Sequence, residues 1–182
     1  HRRDLRAAAQ VVRELALQHD GVGGRVLRLR APAHQAVAQR AEDGRAPAEA
    51  FGLFTRQIAR WWPCRGHSCF DDAARDVEFE PCAGGAVTEV ARDGRRMAWG
   101  TIVDWSPPDG FAMRWFPGLP AAQATLLRVR FAALAEGGTE VWVHHGGWEA
   151  RGDDARVKRD GYADGWAVVL SLYRTCAQGS AA

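Results

Sequence analysis

The stretch Arg96-Met97-Ala98-Trp99-Gly100-Thr101-Ile102-Val103-Asp104-Trp105-Ser106-Pro107-Pro108-Asp109-Gly110-Phe111-Ala112-Met113-Arg114-Trp115 decides the fold. Residues 96 to 105 read as one strand and 110 to 116 as the next, because β-branched and aromatic residues recur along the first and aromatic ones along the second. Pro107-Pro108-Asp109-Gly110 between them is turn chemistry too short to hold a helix. Two strands joined so tightly run antiparallel. Regular alternation would put Trp99, Thr101, Val103 and Trp105 on one face.

The same grammar extends in both directions. Further strand-like segments cover about 75 to 80, 86 to 92, 123 to 134 and 139 to 146. Gly84-Gly85, Asp93-Gly94, Pro117-Gly118 and Gly137-Gly138 mark turns among them. Leu127, Val129 and Phe131 oppose Arg128 and Arg130; Val141, Val143 and His145 oppose Glu140, Trp142 and His144. That alternation suits an antiparallel sheet with one covered face, and it lets at most one of His144 and His145 point inward. Residues 154 to 176 read as a long helix with Tyr162, Trp166, Val169, Leu170 and Tyr173 on one stripe. Gly161 and Gly165, at helical spacing, would allow close backbone approach. The expected class is α+β: a curved antiparallel sheet of about six to seven strands wrapped around a long C-terminal helix, with a cavity between them.

Upstream, Ala46-Pro47-Ala48-Glu49 has the marks of a helix start. Phe51, Phe54, Ile58 and Trp61 or Trp62 give that helix an apolar face, and Pro63 is expected to end it. A loop with Gly66, His67, Ser68, Asp71 and Asp72 follows. Residues 2 to 18 read as an amphipathic helix, Asp20 to Gly24 as a breaker, and Arg25 to Arg30 as a short strand. Residues 37 to 45 are poor strand formers without apolar alternation.

The formal charge is +2 over 182 residues, with Arg spread along the chain and Lys158 the only lysine. A nucleic-acid binder carries a concentrated basic patch, so no nucleic-acid partner is expected. No apolar run approaches the roughly 20 residues of a membrane span, so no membrane partner is expected. The N-terminus lacks the apolar core and cleavage site of a signal peptide, and a cytoplasmic setting follows. The chain opens with His1 rather than Met, which leaves an earlier leader open. Cys64, Cys69, Cys82 and Cys176 are expected as free thiols. Cys64, His67, Cys69 and Cys82 lack the tight pairs of a structural zinc site, so neither metal nor cofactor is expected. Asp71-Asp72 reads as turn chemistry and Asp153-Asp154 as a helix start. No Ser-His-acid order and no phosphate-binding glycine motif is present.

An ordered set of segments carries a family likeness from about residue 47 to 176. It comprises Phe51-Gly52-Leu53-Phe54-Thr55, Ile58 to Pro63, Phe79-Glu80-Pro81 and Asp93-Gly94. Trp99 to Val103, Trp105 to Pro108, Met113-Arg114-Trp115 and Gly137 to Val141 continue it, and His145, Gly147, Trp148, Gly161-Tyr162 and Gly165-Trp166 complete it. The set resembles the START-like helix-grip (SRPBCC) proteins, in the branch of the activator of heat-shock-protein-90 ATPase. The resemblance implies a strand, two short helices, about six strands and a C-terminal helix. The first strand should sit just before Phe51: either 37 to 45 forms it weakly, or Arg25 to Arg30 supplies it and 32 to 46 is an inserted loop. The division expected is 1–24 as a helical extension, 25–178 as the helix-grip domain and 179–182 as a tail.

The leading expectation is a non-catalytic module binding a small apolar or aromatic molecule. Its site would comprise Phe54, Ile58, Trp61, Phe79, Trp99, Met113, Trp115, His145, Tyr162, Trp166 and Leu170. The same large aromatics serve ordinary cores. Two alternatives stand beside it. A protein-interaction module with a chaperone partner would show an exposed apolar patch on the outer face of the sheet, with Trp142 a candidate. A helix-grip enzyme of cyclase or hydrolase type would need His67 or His145 beside an acid. The chain is expected as a monomer or weak homodimer.

Overall fold

The computed structural model describes residues 36–179. The sequence-predicted helix at 2 to 18 and strand at 25 to 30 lie outside the described residues, as do 180–182 of the tail. Seven strands form one sheet: β1 Val37–Asp43, β2 Ala74–Phe79, β3 Ala86–Ala91, β4 Arg96–Ser106, β5 Gly110–Trp115, β6 Thr125–Ala133 and β7 Thr139–Gly146. Their order is β1-β7-β6-β5-β4-β3-β2, and every neighbouring pair is antiparallel. The sheet curls into a half-barrel around α2, Ala155–Gly179, while α1, Pro47–Phe54, packs on β6 and β7. This is the α+β helix-grip architecture.

The family's first strand is β1, so the residues without apolar alternation form it. Val37 and Ala41 point inward, and so does Asp43, only 2% exposed. The Tyr173 hydroxyl donates to Asp43 Oδ2 at 2.5 Å, and the Arg45 backbone N–H donates to Oδ1 at 2.9 Å. A buried carboxylate in a strand is stable only with such partners. Burial first, and then the bond to Asp43, pushes the Tyr173 phenol far above its usual range.

The first helix ends sooner than Pro63. Thr55 Oγ1 donates to the Phe51 carbonyl at 2.7 Å, and a 3-10 turn, Ile58–Arg60, follows. Trp61 Nε1 donates to the Leu53 carbonyl at 2.9 Å, satisfying an acceptor that the truncated helix leaves open.

Strand β4 departs from regular alternation. Its register skips Trp99 against β3 and Val103 against β5, so each is the extra residue of a bulge. Trp99 therefore turns inward beside Gly100, and Val103 is 37% exposed. The expected common face of Trp99, Thr101, Val103 and Trp105 is thus replaced by Trp99, Ile102 and Trp105 inside and Thr101 outside. Gly100 is required here: a Cβ would lie 2.0 Å from the Arg114 carbonyl oxygen.

On α2, Trp166, Val169, Leu170 and Tyr173 are buried, and Tyr162 packs half-buried against the same cluster. The stripe faces the sheet as its spacing requires. Gly165 lies under His67, whose Nε2 would be 3.9 Å from a Cβ there, whereas a Cβ at Gly161 would meet nothing within 4 Å. Neither glycine marks the expected close backbone approach, because a contact of 3.9 Å is an ordinary van der Waals one.

Candidate ligand site between the sheet and the last helix

The aromatic rings between the sheet and α2 form two linked groups. Phe51 and Phe54 contact Phe111 and Phe131 in one, with Phe79 and Trp105 at its edge. Trp99, Trp115, Trp166, His145, Trp148 and Tyr162 form the other. Trp61 joins them, 4.9 Å from Phe54 and 5.7 Å from Trp62 between ring centroids. The structure therefore brings Trp99, Trp115, His145, Tyr162 and Trp166 together, while Phe54 and Phe79 belong to the other group. Ile58, Met113 and Leu170 are buried in the common core.

Trp62 stands at the centre of the second group. Its ring is 4.9 Å from Trp99, 5.8 Å from Trp166 and 6.2 Å from Trp115. Unlike those three it is only half-buried, and it sits on the irregular segment after the 3-10 turn. Its Nε1 donates to the His67 carbonyl at 2.9 Å, which folds residues 62 to 67 over the ring. Sequence spacing left Trp61 and Trp62 as alternatives for one helix face; the irregular backbone lets both rings turn inward.

Glu89 anchors the next part of this segment. It is fully buried and accepts from the backbone N–H of Cys69 at 2.7 Å, that of Phe70 at 3.0 Å and Trp99 Nε1 at 2.6 Å. Charge-assisted bonds of this kind are among the stronger ones in proteins. Burial, followed by the nearby Glu89 charge, pushes the Cys69 thiol up to about 11, which keeps it protonated and unreactive. A glutamate at an inward strand position has no sequence signal to distinguish it from a solvated one. Asp71 and Asp72 serve the same loop, accepting from the Gly66 backbone N–H and from Arg65.

His145 points inward and is fully buried; His144 faces out and is half-buried. Trp166 Nε1 can only donate, so His145 Nδ1, 3.1 Å away, accepts. The ring proton is then on Nε2, which donates to Thr125 Oγ1 at 2.7 Å; that hydroxyl donates to the Trp115 carbonyl at 3.0 Å. Burial pushes the imidazole down to about 3, with the Arg151 charge adding to it. His145 is thus a neutral, doubly bonded link between α2 and the sheet. Both of its nitrogens are engaged, which leaves it no free base position.

Beyond the rings lies a short 3-10 turn, Trp148–Asp154. Gly147, with φ 76°, reverses the chain so that Trp148 turns back onto His145, 4.3 Å between rings, and donates Nε1 to the His145 carbonyl. A cavity of about 160 Å³ opens beside Trp148, Glu149, Ala155, Arg156 and Arg159. Another, of about 490 Å³, lies outside α1 among Arg45, Glu49, Gly52, Leu53, Arg56 and Arg60. None of the sequence-predicted site residues lines either one. Among the described residues, no group of three or more His, Cys, Asp or Glu is placed to hold a metal ion. No helix among them is long and apolar enough to cross a membrane.

On the outer face of the sheet, the Arg40 guanidinium lies 3.5 Å above the Trp142 ring, and Trp142 Nε1 donates to Glu140. Trp142 is covered and hydrogen-bonded, so it does not form the open apolar patch that an interaction surface would show.

Three solved structures show how general this frame is. A Mesorhizobium loti protein superposes with a TM-score of 0.61 at 13% identity, covering 81% of this chain and 99% of that one. The anthrahydroquino-gamma-pyrone synthase Txn09 gives 0.54 at 24%, covering 78% and 96%. The Aha1 dimer of Colwellia psychrerythraea gives 0.54 at 15%, covering 80% and 98%. At these identities the likeness is one of fold. Comparison with curated proteins gave no match. The sequence pattern of the activator of Hsp90 ATPase homolog 1-like proteins matches residues 45–172, from just after β1 into the last turns of α2. With that match and the helix-grip sheet in place, the chain belongs to the activator of Hsp90 ATPase homolog 1-like family.

Proposed function

We propose that this chain is a non-catalytic module that binds a small hydrophobic or aromatic molecule between the sheet and α2, the ligand's ring replacing the indole of Trp62. One observation carries this reading. Trp62, at the centre of the inner group, is only half-buried, and it is held by an irregular segment rather than by a strand or helix. Trp99, Trp115 and Trp166 are locked from below by Glu89, Tyr162 and His145. Swinging Trp62 out would leave a slot with rigid aromatic walls. Burying roughly 150 Å² of ligand ring contributes about 4 kcal/mol, offset in large part by exposing the Trp62 ring and breaking its bond to the His67 carbonyl.

A cytoplasmic setting agrees with the four free thiols. A monomer suffices for this role; a weak homodimer is compatible with it. The interaction reading keeps the family membership behind it, but Trp142, its named surface candidate, is covered by Arg40. An enzyme of cyclase type is the second reading, favoured by the likeness to the synthase Txn09. Turnover would have to use groups other than His145.

Native mass spectrometry of the protein from its own host, combined with tryptophan fluorescence during a titration with 2-naphthol, tests the proposal. A retained apolar ligand and saturable quenching are the expected results. An empty protein with unresponsive tryptophans would overturn it.

A further inference from the structure

The inner ring group ends in hydrogen-bond donors that lack acceptors. Arg151 lies in the turn that carries Trp148, and its Nε and Nη2 are buried without a partner among the described residues. The Tyr162 hydroxyl accepts from Trp115 Nε1 at 3.0 Å, and among the described residues its own proton meets no acceptor. Trp148 neighbours both: its ring is 5.2 Å from that of Tyr162, and it lies three residues before Arg151 in the same turn. The guanidinium charge reaches both neighbours, lowering His145 further and opposing the burial-driven rise of the Tyr162 phenol. His145 cannot serve as the missing acceptor, because both its nitrogens are already bonded.

Buried donors without acceptors are costly, and a guanidinium more so than a neutral group. Two N–H groups, one O–H group and a positive charge are the complement of an oxyanion. The Arg fork suits a carboxylate in particular, since it can present two parallel bonds. The Trp115 indole spans both parts of the site: its ring lines the Trp62 slot, and its N–H reaches Tyr162.

We propose that Arg151 and Tyr162 hold the carboxylate of an aromatic acid whose ring occupies the Trp62 slot. This names the ligand class for the ring-binding reading and rests on it. Arg151 is the specificity determinant, and Tyr162 adds the second contact. Sequence spacing gave no sign of Arg151, one of many arginines.

The test compares 2-naphthoate with its neutral counterpart 2-naphthylmethanol, by calorimetry on the full chain. Charge-assisted bonds to a buried guanidinium predict that the acid binds roughly tenfold or more tightly than the alcohol. Arg151→Met should remove that preference by weakening the acid far more than the alcohol, while Tyr162→Phe should reduce it in part. Arg156→Gln, which alters a nearby surface charge, should preserve it. Equal binding of the two probes to the unaltered protein would overturn the oxyanion site and leave the ring reading intact. That comparison needs no variant to fold. Loss of the preference in Arg156→Gln would also overturn it, by showing general surface attraction. If neither probe binds, the ring reading fails and the oxyanion site with it.

Discussion

His145 shows most plainly what burial does to a residue that looks catalytic. A histidine beside an aromatic cluster invites a role as a base, yet here one nitrogen accepts from Trp166 and the other donates to Thr125. Its tautomer is therefore fixed, and nitrogen NMR should find the proton on Nε2. The pH consequence follows from linkage. The folded imidazole titrates near 3, whereas the unfolded one titrates near 6.5. Below about pH 6.5 the unfolded chain takes up a proton that the folded one refuses. This group's contribution is therefore complete above that pH and lost as pH falls towards 3, by about 1.4 kcal/mol per pH unit. Urea unfolding at pH 7.0 and 5.5 should show the unaltered protein losing about 1.4 kcal/mol more than His145→Gln. Parallel losses would refute the buried neutral state. The inward orientation of one histidine was legible from alternation in β7. The partners were not, because Thr125 and Trp166 lie 20 and 21 residues away.

At the scale of elements, regular alternation was the readable signal, and it failed where the backbone departs from regularity. Strands β6 and β7 and the stripe on α2 follow their periods, so their faces could be read directly. The two bulges of β4 could not be read, because an inserted residue changes the face without changing the composition. Strand β1 was obscured for a different reason. Its inward Asp43 looks like a surface residue until Tyr173, 130 residues away, supplies the bond that makes burial tolerable. The family match begins at residue 45, just after β1. Glu89 is a second inward acid, and its role can be tested. Gln in its place offers one acceptor oxygen where three N–H donors converge. Glu89→Gln should therefore cost about 2 kcal/mol in urea unfolding. It should also speed amide exchange at Cys69 and Phe70 relative to β6 and β7. Unchanged protection at those two amides would show that the segment over the rings is held by something else.

For the whole molecule, the helix-grip frame does two jobs with one set of rings. The group around Phe51 and Phe54 packs between α1 and the sheet as part of the common core. The group around Trp62 has equally rigid walls but a less firmly held centre. Most of the wall residues were legible in the sequence, because strand and helix periods place Trp115, His145, Tyr162 and Trp166 on inner faces. The occupant was not, because no periodic rule governs the segment from Trp62 to Phe70. In the proposed role Trp62 occupies the ligand's place rather than lining it, and the two roles predict opposite signs. The deciding measurement is the affinity of the Trp62→Ala protein for 2-naphthol relative to the unaltered protein. Removing a competing ring should tighten binding roughly tenfold, and the bound ligand should restore part of the stability lost by emptying the slot. Weaker or unchanged binding in Trp62→Ala would contradict the account and return Trp62 to the core.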